Sequence, residues 1–141
     1  MTIPMLGPEA FAGAWTLRRQ ITDRMGGQEG RLTGQAVFSQ TGPKALRYVE
    51  TGQLQFGTGP AMTAERSYLW GFDGDGVAVR FADGAAFHRF APAGHAAGTD
   101  HPCGDDMYRV QYDFTCWPEW RATWVVQGPR KDYTSVSDYA P

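Results

Sequence analysis

Cysteine, lysine and histidine are all scarce in this 141-residue chain, and each shortage removes a class of protein. Two cysteines, Cys103 and Cys116, cannot build a disulfide framework, so free thiols are expected. Two lysines stand against eleven arginines, and a formal net charge of −2 leaves no basic stripe to follow a phosphate backbone, which excludes nucleic acid as a partner. No apolar run approaches membrane-spanning length, and Met1–Pro8 lacks a basic start followed by an unbroken apolar segment. A protein without a membrane span, located in the cytoplasm, is expected. Missing too are a sustained helical period, a repeat of solenoid length, a phosphate loop and a dinucleotide fingerprint.

What is present is a succession of short alternating runs. Hydrophobic residues make up 42% of the chain and aromatics 13%, enough for an ordered core, and the length suits a single domain over residues 1–141. After one helical turn at Gly7–Phe11, with Pro8 at its first position, Trp15, Leu17, Arg19 and Ile21 share a face. Leu32, Gly34, Ala36 and Phe38 share another. Lys44–Phe56 reads as two strands divided near Thr51-Gly52, because one strand of that length exceeds the usual range. Ala64, Arg66, Tyr68 and Trp70 align on the next run, and Asp73-Gly74 and Asp83-Gly84 mark tight turns of a meander. Ala91–Asp106 is the longest irregular stretch and is expected at the open end of the fold, lining or gating its mouth. Met107–Phe114 and Glu119–Gln127 form a closing hairpin, and residues 131–141 read as a tail laid along the surface. The fold class expected is all-β: an antiparallel up-and-down barrel of about eight to ten strands, since closure removes the edges that aromatic-rich strands would expose.

Two local features resemble the lipocalin pattern within the calycins. Gly13-Ala14-Trp15 at the start of the first strand matches the G-x-W signature, and Arg130 matches the C-terminal arginine that lies over that tryptophan. The resemblance implies a lipocalin-like or fatty-acid-binding-protein-like barrel with Arg130 against Trp15. It lacks the secretion signal of most lipocalins, and Met25–Gly30 is too short for a helical lid. Over nearly its full length the chain also resembles a functionally uncharacterised family of small bacterial proteins, through Tyr68-Leu69-Trp70, Phe81–His88, His101–Tyr108 and Gly128–Tyr133.

Polar residues on aromatic faces mark the candidate site. Arg19, Arg66 and His88 each need a partner if buried, because an unpaired interior guanidinium is costly. Glu50 is a candidate partner, although its facing is ambiguous. The two readings of these arginines are internal pairing and a cavity that holds a small amphipathic, anionic ligand. In the second, Arg19, Glu50, Arg66, His88, Tyr108, Tyr112 and Trp124 form the ligand-binding set, with no catalysis and no cofactor. Alternatives are a small enzyme acting through His88 or His101, a metal site on His101 and Cys103 or a haem held by one histidine, and a protein-interaction module, with the choice between monomer and homodimer open.

Overall fold

A computed structural model describes residues 4–141; the part of the N-terminal reading that concerns residues 1–3 lies outside the described residues. One short helix, α1 (Pro8–Phe11), precedes eleven strands: β1 (Gly13–Asp23), β2 (Gln28–Gly42), β3 (Ala45–Phe56), β4 (Met62–Asp73), β5 (Gly76–Phe81), β6 (Ala86–Phe90), β7 (His95–Ala97), β8 (His101–Cys103), β9 (Asp106–Asp113), β10 (Trp120–Gly128) and β11 (Lys131–Ala140). They form one antiparallel sheet in the order β6-β5-β4-β3-β2-β1-β11-β10-β9-β7, with β8 paired to β9 beside β7. Neighbours in sequence pair from β1 to β6 and from β8 to β11, β7 pairs with β9, and β11 also pairs with β1, which wraps the sheet into a nearly closed up-and-down barrel.

Three sequence expectations change here. The segment read as a surface tail is β11, paired along its length with both β1 and β10, so the barrel is closed by this strand and not by the β9–β10 hairpin. Its inward positions are Tyr133, Ser135, Ser137 and Tyr139, opposite Thr134, Val136 and Asp138; with both faces largely polar, the period of two carries no hydrophobic contrast. The expected division of Lys44–Phe56 is absent, because β3 runs unbroken through Thr51-Gly52. There Gly52 pairs with Gly34 of β2, and a Cβ on Gly52 would lie 2.6 Å from the Thr33 carbonyl oxygen. The two glycines let the strands press together and bend without breaking the ladder.

The Ala91–Asp106 stretch is largely ordered as well. Its β7 and β8 pieces lie end to end along β9, and between them the chain kinks so that Gly98 N–H donates to the Val110 carbonyl while Thr99 N–H donates to the Arg89 carbonyl of β6. The stretch therefore stitches the seam between β6 and β9. It runs from the closed end, where His95 is exposed, to the mouth, where His101 lies, so only its second half is at the open end as expected.

The closed end is a dry aromatic plug. Phe11 at the C-terminal end of α1 is fully buried, with its ring 5.2–6.1 Å from those of Phe38, Trp70, Phe72, Phe114, Trp117 and Trp120. Edge and tilted contacts dominate, as the ring quadrupoles favour. Trp15 donates its indole N–H to the Phe11 carbonyl at 2.8 Å and lies 5.5 Å from Trp117. The expected Arg130 contact is not made: Arg130 is exposed in the β10–β11 turn, at the opposite end of the barrel from Trp15. A second aromatic ring and a carbonyl from α1 take the place that the lipocalin resemblance assigns to the guanidinium.

Candidate functional site

From the plug towards the β1–β2, β3–β4 and β10–β11 turns the interior opens into a cavity of about 550 Å³. Inward-facing residues of β1, β3, β4, β5, β6, β9, β10 and β11 build its wall, with His101 and Cys103 of β8 at the rim, and one irregularity enriches it. The β5–β6 register shifts between Val79 and Arg80, so consecutive residues Phe87 and His88 both line the cavity. Strict alternation would have sent one of them outward; a bulge re-aims it.

All seven residues singled out in the sequence, Arg19, Glu50, Arg66, His88, Tyr108, Tyr112 and Trp124, line this one cavity. They divide into three groups. In the first, the buried Arg19 guanidinium donates from both terminal nitrogens to the two Glu50 oxygens, at 2.6 and 2.8 Å, and from Nε to Ser137 Oγ at 2.7 Å. Tyr48 donates its hydroxyl to Glu50 Oε1 at 2.6 Å and lies 2.8 Å from the Tyr139 hydroxyl. Burial on its own would raise the Glu50 carboxyl, but the Arg19 fork overrides it and holds the group below the usual carboxylate range. Burial likewise works to lower Arg19, and its bond to Glu50 together with Tyr139 raises it instead. The pair is thus charged and mutually neutral, and every Arg19 nitrogen already donates to Glu50 or Ser137.

The second group centres on His88. Its Nε2 is 2.8 Å from the Tyr112 hydroxyl, while its Nδ1 is buried without a partner among the described residues. The ring stands edge-on to Phe87 and Trp124, at 4.6 and 4.9 Å, and those two rings stack on each other at 4.9 Å. Burial first, and the neighbouring His101 second, push the imidazole down to about 3, so it is neutral at physiological pH. Burial also raises Tyr112 well above its ordinary value.

The third group forms the rim. Arg66 is exposed rather than packed among aromatics as expected, because β4 reaches the mouth at that point; it pairs in register with Glu50 but makes no ion pair among the described residues. Tyr108 receives a hydrogen bond from Lys131 Nζ at 2.9 Å, and Lys131 also pairs with Asp106 at 3.2 Å. His101 and Cys103 line the rim too, with the Cys103 thiol free and exposed, yet no group of three metal-ligating side chains converges among the described residues. The His101–Cys103 metal reading therefore lacks a third protein ligand, and for the one-histidine haem reading the inward histidine already has Nε2 engaged by Tyr112.

Several lining residues were not singled out in the sequence. Tyr48, Tyr139 and Ser137 complete the Arg19–Glu50 network; the last two lie on the unrecognised β11, and their signal was the alternation of Tyr133, Ser135, Ser137 and Tyr139. Phe87 is missed because nothing in its composition announces the bulge.

With this geometry in hand, comparison with known proteins fixes the family. Residues 11–141 match a family of unknown function, DUF6314. The chain belongs to that family. No curated protein matches the sequence. Among solved structures, the fold is similar to an S-type phycobiliprotein lyase, CPES, from Guillardia theta, at a TM-score of 0.69 and 10% identity over 94% of this chain and 89% of that one. It is also similar to a protein of unknown function from the DUF3598 family of Nostoc punctiforme, at a TM-score of 0.61 and 10% identity over 96% of this chain and 48% of that one. At such identities the likeness is one of fold alone, a lipocalin-like β-barrel. Among the described residues no helix is long and apolar enough to cross a membrane.

Proposed function

We propose that this protein binds a small, flat amphipathic ligand carrying an anionic group, and does so without chemically transforming it. The observation that carries the reading is the combination of a one-ended aromatic cavity with a floor whose charges cancel, leaving Arg66 at the rim as the cation of the lining without a carboxylate partner. A volume of about 550 Å³ is in the range of sites for small organic ligands. The parallel Phe87 and Trp124 rings, with Tyr68 stacked 5.6 Å from Phe87, offer flat apolar walls to a conjugated body. Arg66 is the group to meet the anion, in place of the Arg19 anchor that the sequence suggested. Asp23 shares the rim, but its carboxylate accepts hydrogen bonds from the Met25 and Gly26 amides and serves the turn.

The phycobiliprotein lyase named above supports a barrel of this type as a host for ligand handling, while the ligand reading rests on the cavity itself. For the enzyme alternative, a neutral His88 pushed down to about 3 is a poor proton donor near neutral pH, which favours a holding role. For the interaction-module alternative, the exposed large hydrophobics among the described residues, Met5, Met25, Val37 and Met62, are divided between the two ends and the outer face of β2, and do not gather into one patch.

The test is native mass spectrometry of the purified protein for a co-purifying organic ligand, followed by fluorescence titration with 8-anilinonaphthalene-1-sulfonate, a flat anion. One saturable site is expected, weakened about tenfold by Arg66→Ala at unchanged melting temperature, the worth of one charge-assisted contact. Absence of saturable binding by the folded protein would sink the reading.

A further inference from the structure

Two stretches singled out in the sequence, His101–Tyr108 and Gly128–Tyr133, come together at the mouth of the cavity. Inward positions run in register across three strands there: Tyr108 of β9 faces Val126 of β10, and Val126 faces Tyr133 of β11. Val126 is buried between the two tyrosines, which are themselves half-buried and both line the cavity. Lys131, two residues before Tyr133, donates from Nζ to the Tyr108 oxygen at 2.9 Å and pairs with Asp106 at 3.2 Å. A Cβ on Gly128 would collide with the Asp106 carboxylate, so glycine leaves the room in which that pair forms.

Hydrogen-bond accounting then singles out one proton. Burial first, and then Tyr108 through charge and a hydrogen bond, raise the Tyr133 phenol, while Arg66 and Lys131 pull the other way. A phenol raised by its neighbour keeps its proton and donates it, so the Tyr108 oxygen accepts from both Lys131 and Tyr133. The Tyr108 O–H is left to give, and a hydroxyl that accepts from an ammonium is polarised into a stronger donor. Solvent reaches this place, because the Lys131 side chain beside the hydroxyl is 43% exposed. Arg66 acts on the same place from β4: its charge is felt at Tyr133 and at Tyr68, which burial raises and the guanidinium draws down.

We propose that Tyr108 is the second donor to the ligand's anionic group, with Arg66 the first and Lys131 the residue that positions and polarises the phenol, and that the group so held is a carboxylate or another monoanion. This rests on the reading given under Proposed function and deepens it by naming the head group. The charge count selects a monoanion. Lys131 is already met by Asp106, and Asp23 brings a further negative charge to the rim, so Arg66 is the cation left to balance among the described residues. One ligand charge balances it; a second would stand near two carboxylates with no cation of its own.

Three probes share one aromatic body: naphthalene-2-carboxylate, the neutral naphthalene-2-methanol, and 2-naphthyl phosphate, a dianion at neutral pH. Calorimetric Kd values are measured for the full chain, Tyr108→Phe, Lys131→Met and the double variant. Tyr108→Phe is expected to weaken the carboxylate about tenfold, the worth of one hydrogen bond to a charged group, while holding the alcohol within about threefold. Lys131→Met is expected to weaken the carboxylate about threefold or more, and the double variant to lose no more than Tyr108→Phe alone, because Lys131 acts through the phenol. Carboxylate binding untouched by Tyr108→Phe, or losses that simply add in the double variant, overturns the arrangement and leaves the ligand-binding reading standing on Arg66. Tighter binding of the phosphate than of the carboxylate overturns the monoanion. If no probe binds the folded full chain, both readings fall. Should Tyr108→Phe fail to fold, Lys131→Met decides, since its side chain is partly exposed: an unchanged carboxylate Kd overturns the proposal.

Discussion

The two ends of this barrel are built from the same residue types and do opposite things. At the closed end Phe11, Trp15, Phe38, Trp70, Trp117 and Trp120 fill the interior against one another. At the open end Tyr68, Phe81, Phe87, Tyr108 and Trp124 line a space of about 550 Å³. The difference is not one of composition. It is made by α1, a helix of four residues whose Phe11 is driven into one mouth of the barrel, while among the described residues no comparable element enters the other. Between them the Arg19–Glu50–Tyr48–Tyr139 network forms a polar floor whose members hydrogen-bond to one another among the aromatics.

If the plug carries stability and the cavity carries function, substitutions should separate the two. Phe11→Ala removes the centre of the plug and is expected to cost about 3–5 kcal/mol, the usual range for emptying a buried aromatic site. Urea denaturation measures it, and a loss below about 1 kcal/mol would show that the two ends are not distinct in this sense. Glu50→Ala leaves the Arg19 guanidinium buried and unpaired, for which a loss of about 3–5 kcal/mol is expected on the same assay. The double variant with Arg19→Met should recover part of that loss, because the uncompensated charge goes with it; no recovery would mean that the network stabilises through shape and not charge.

Acid should act next. His88 has a folded-state value of about 3, below the ordinary 6.5, so the unfolded chain binds the proton more readily. Its contribution is fully present above about pH 6.5 and is lost as pH falls towards 3, by about 1.4 kcal/mol for each unit in that window. Glu50, held below its ordinary range, adds loss in the same direction at lower pH. Thermal melts of the full chain and His88→Phe between pH 4 and 7 resolve the two: the variant should show the shallower slope from 6.5 down to about 4.5, and parallel curves would remove His88 from the account. The smallest effect expected is that of Arg130→Ala. Exposed in a turn at the end away from Trp15, it should change stability by no more than about 0.5 kcal/mol, whereas a loss of 2 would restore the lipocalin contact that the structure replaces.

The same comparison explains what was legible in the sequence. Strands β1, β2, β4, β9 and β10 alternate apolar and polar residues, so their inward faces could be named, and with them Arg19, Arg66, Tyr108, Tyr112 and Trp124; Glu50 on β3 and His88 on β6 complete the candidates that line the cavity. What escaped lacked that contrast. The inward side of β11 carries serines and tyrosines against an outward side of threonine, valine and aspartate, and only pairing with β1 and β10 reveals it as a strand. The unbroken course of β3 depends on a Gly34–Gly52 contact between strands, and the entry of Phe87 on a register shift against β5; both are properties of two segments together. Charge at the floor was readable as a need, since a buried arginine demands a partner, but that Glu50 pairs with it through both terminal nitrogens while Arg66 lies exposed at the rim required the third dimension.

The separation of a packed end from an open end proposed to bind ligand is tested most directly by two-dimensional NMR of the aromatic and indole signals during titration with 8-anilinonaphthalene-1-sulfonate. The account predicts shifts at Phe87, Trp124, Tyr68 and His101, with the Trp15 and Trp117 indoles and the Phe11 ring unmoved. Shifts concentrated at Trp15, Trp117 and Phe11, with Phe87 and Trp124 silent, would contradict it.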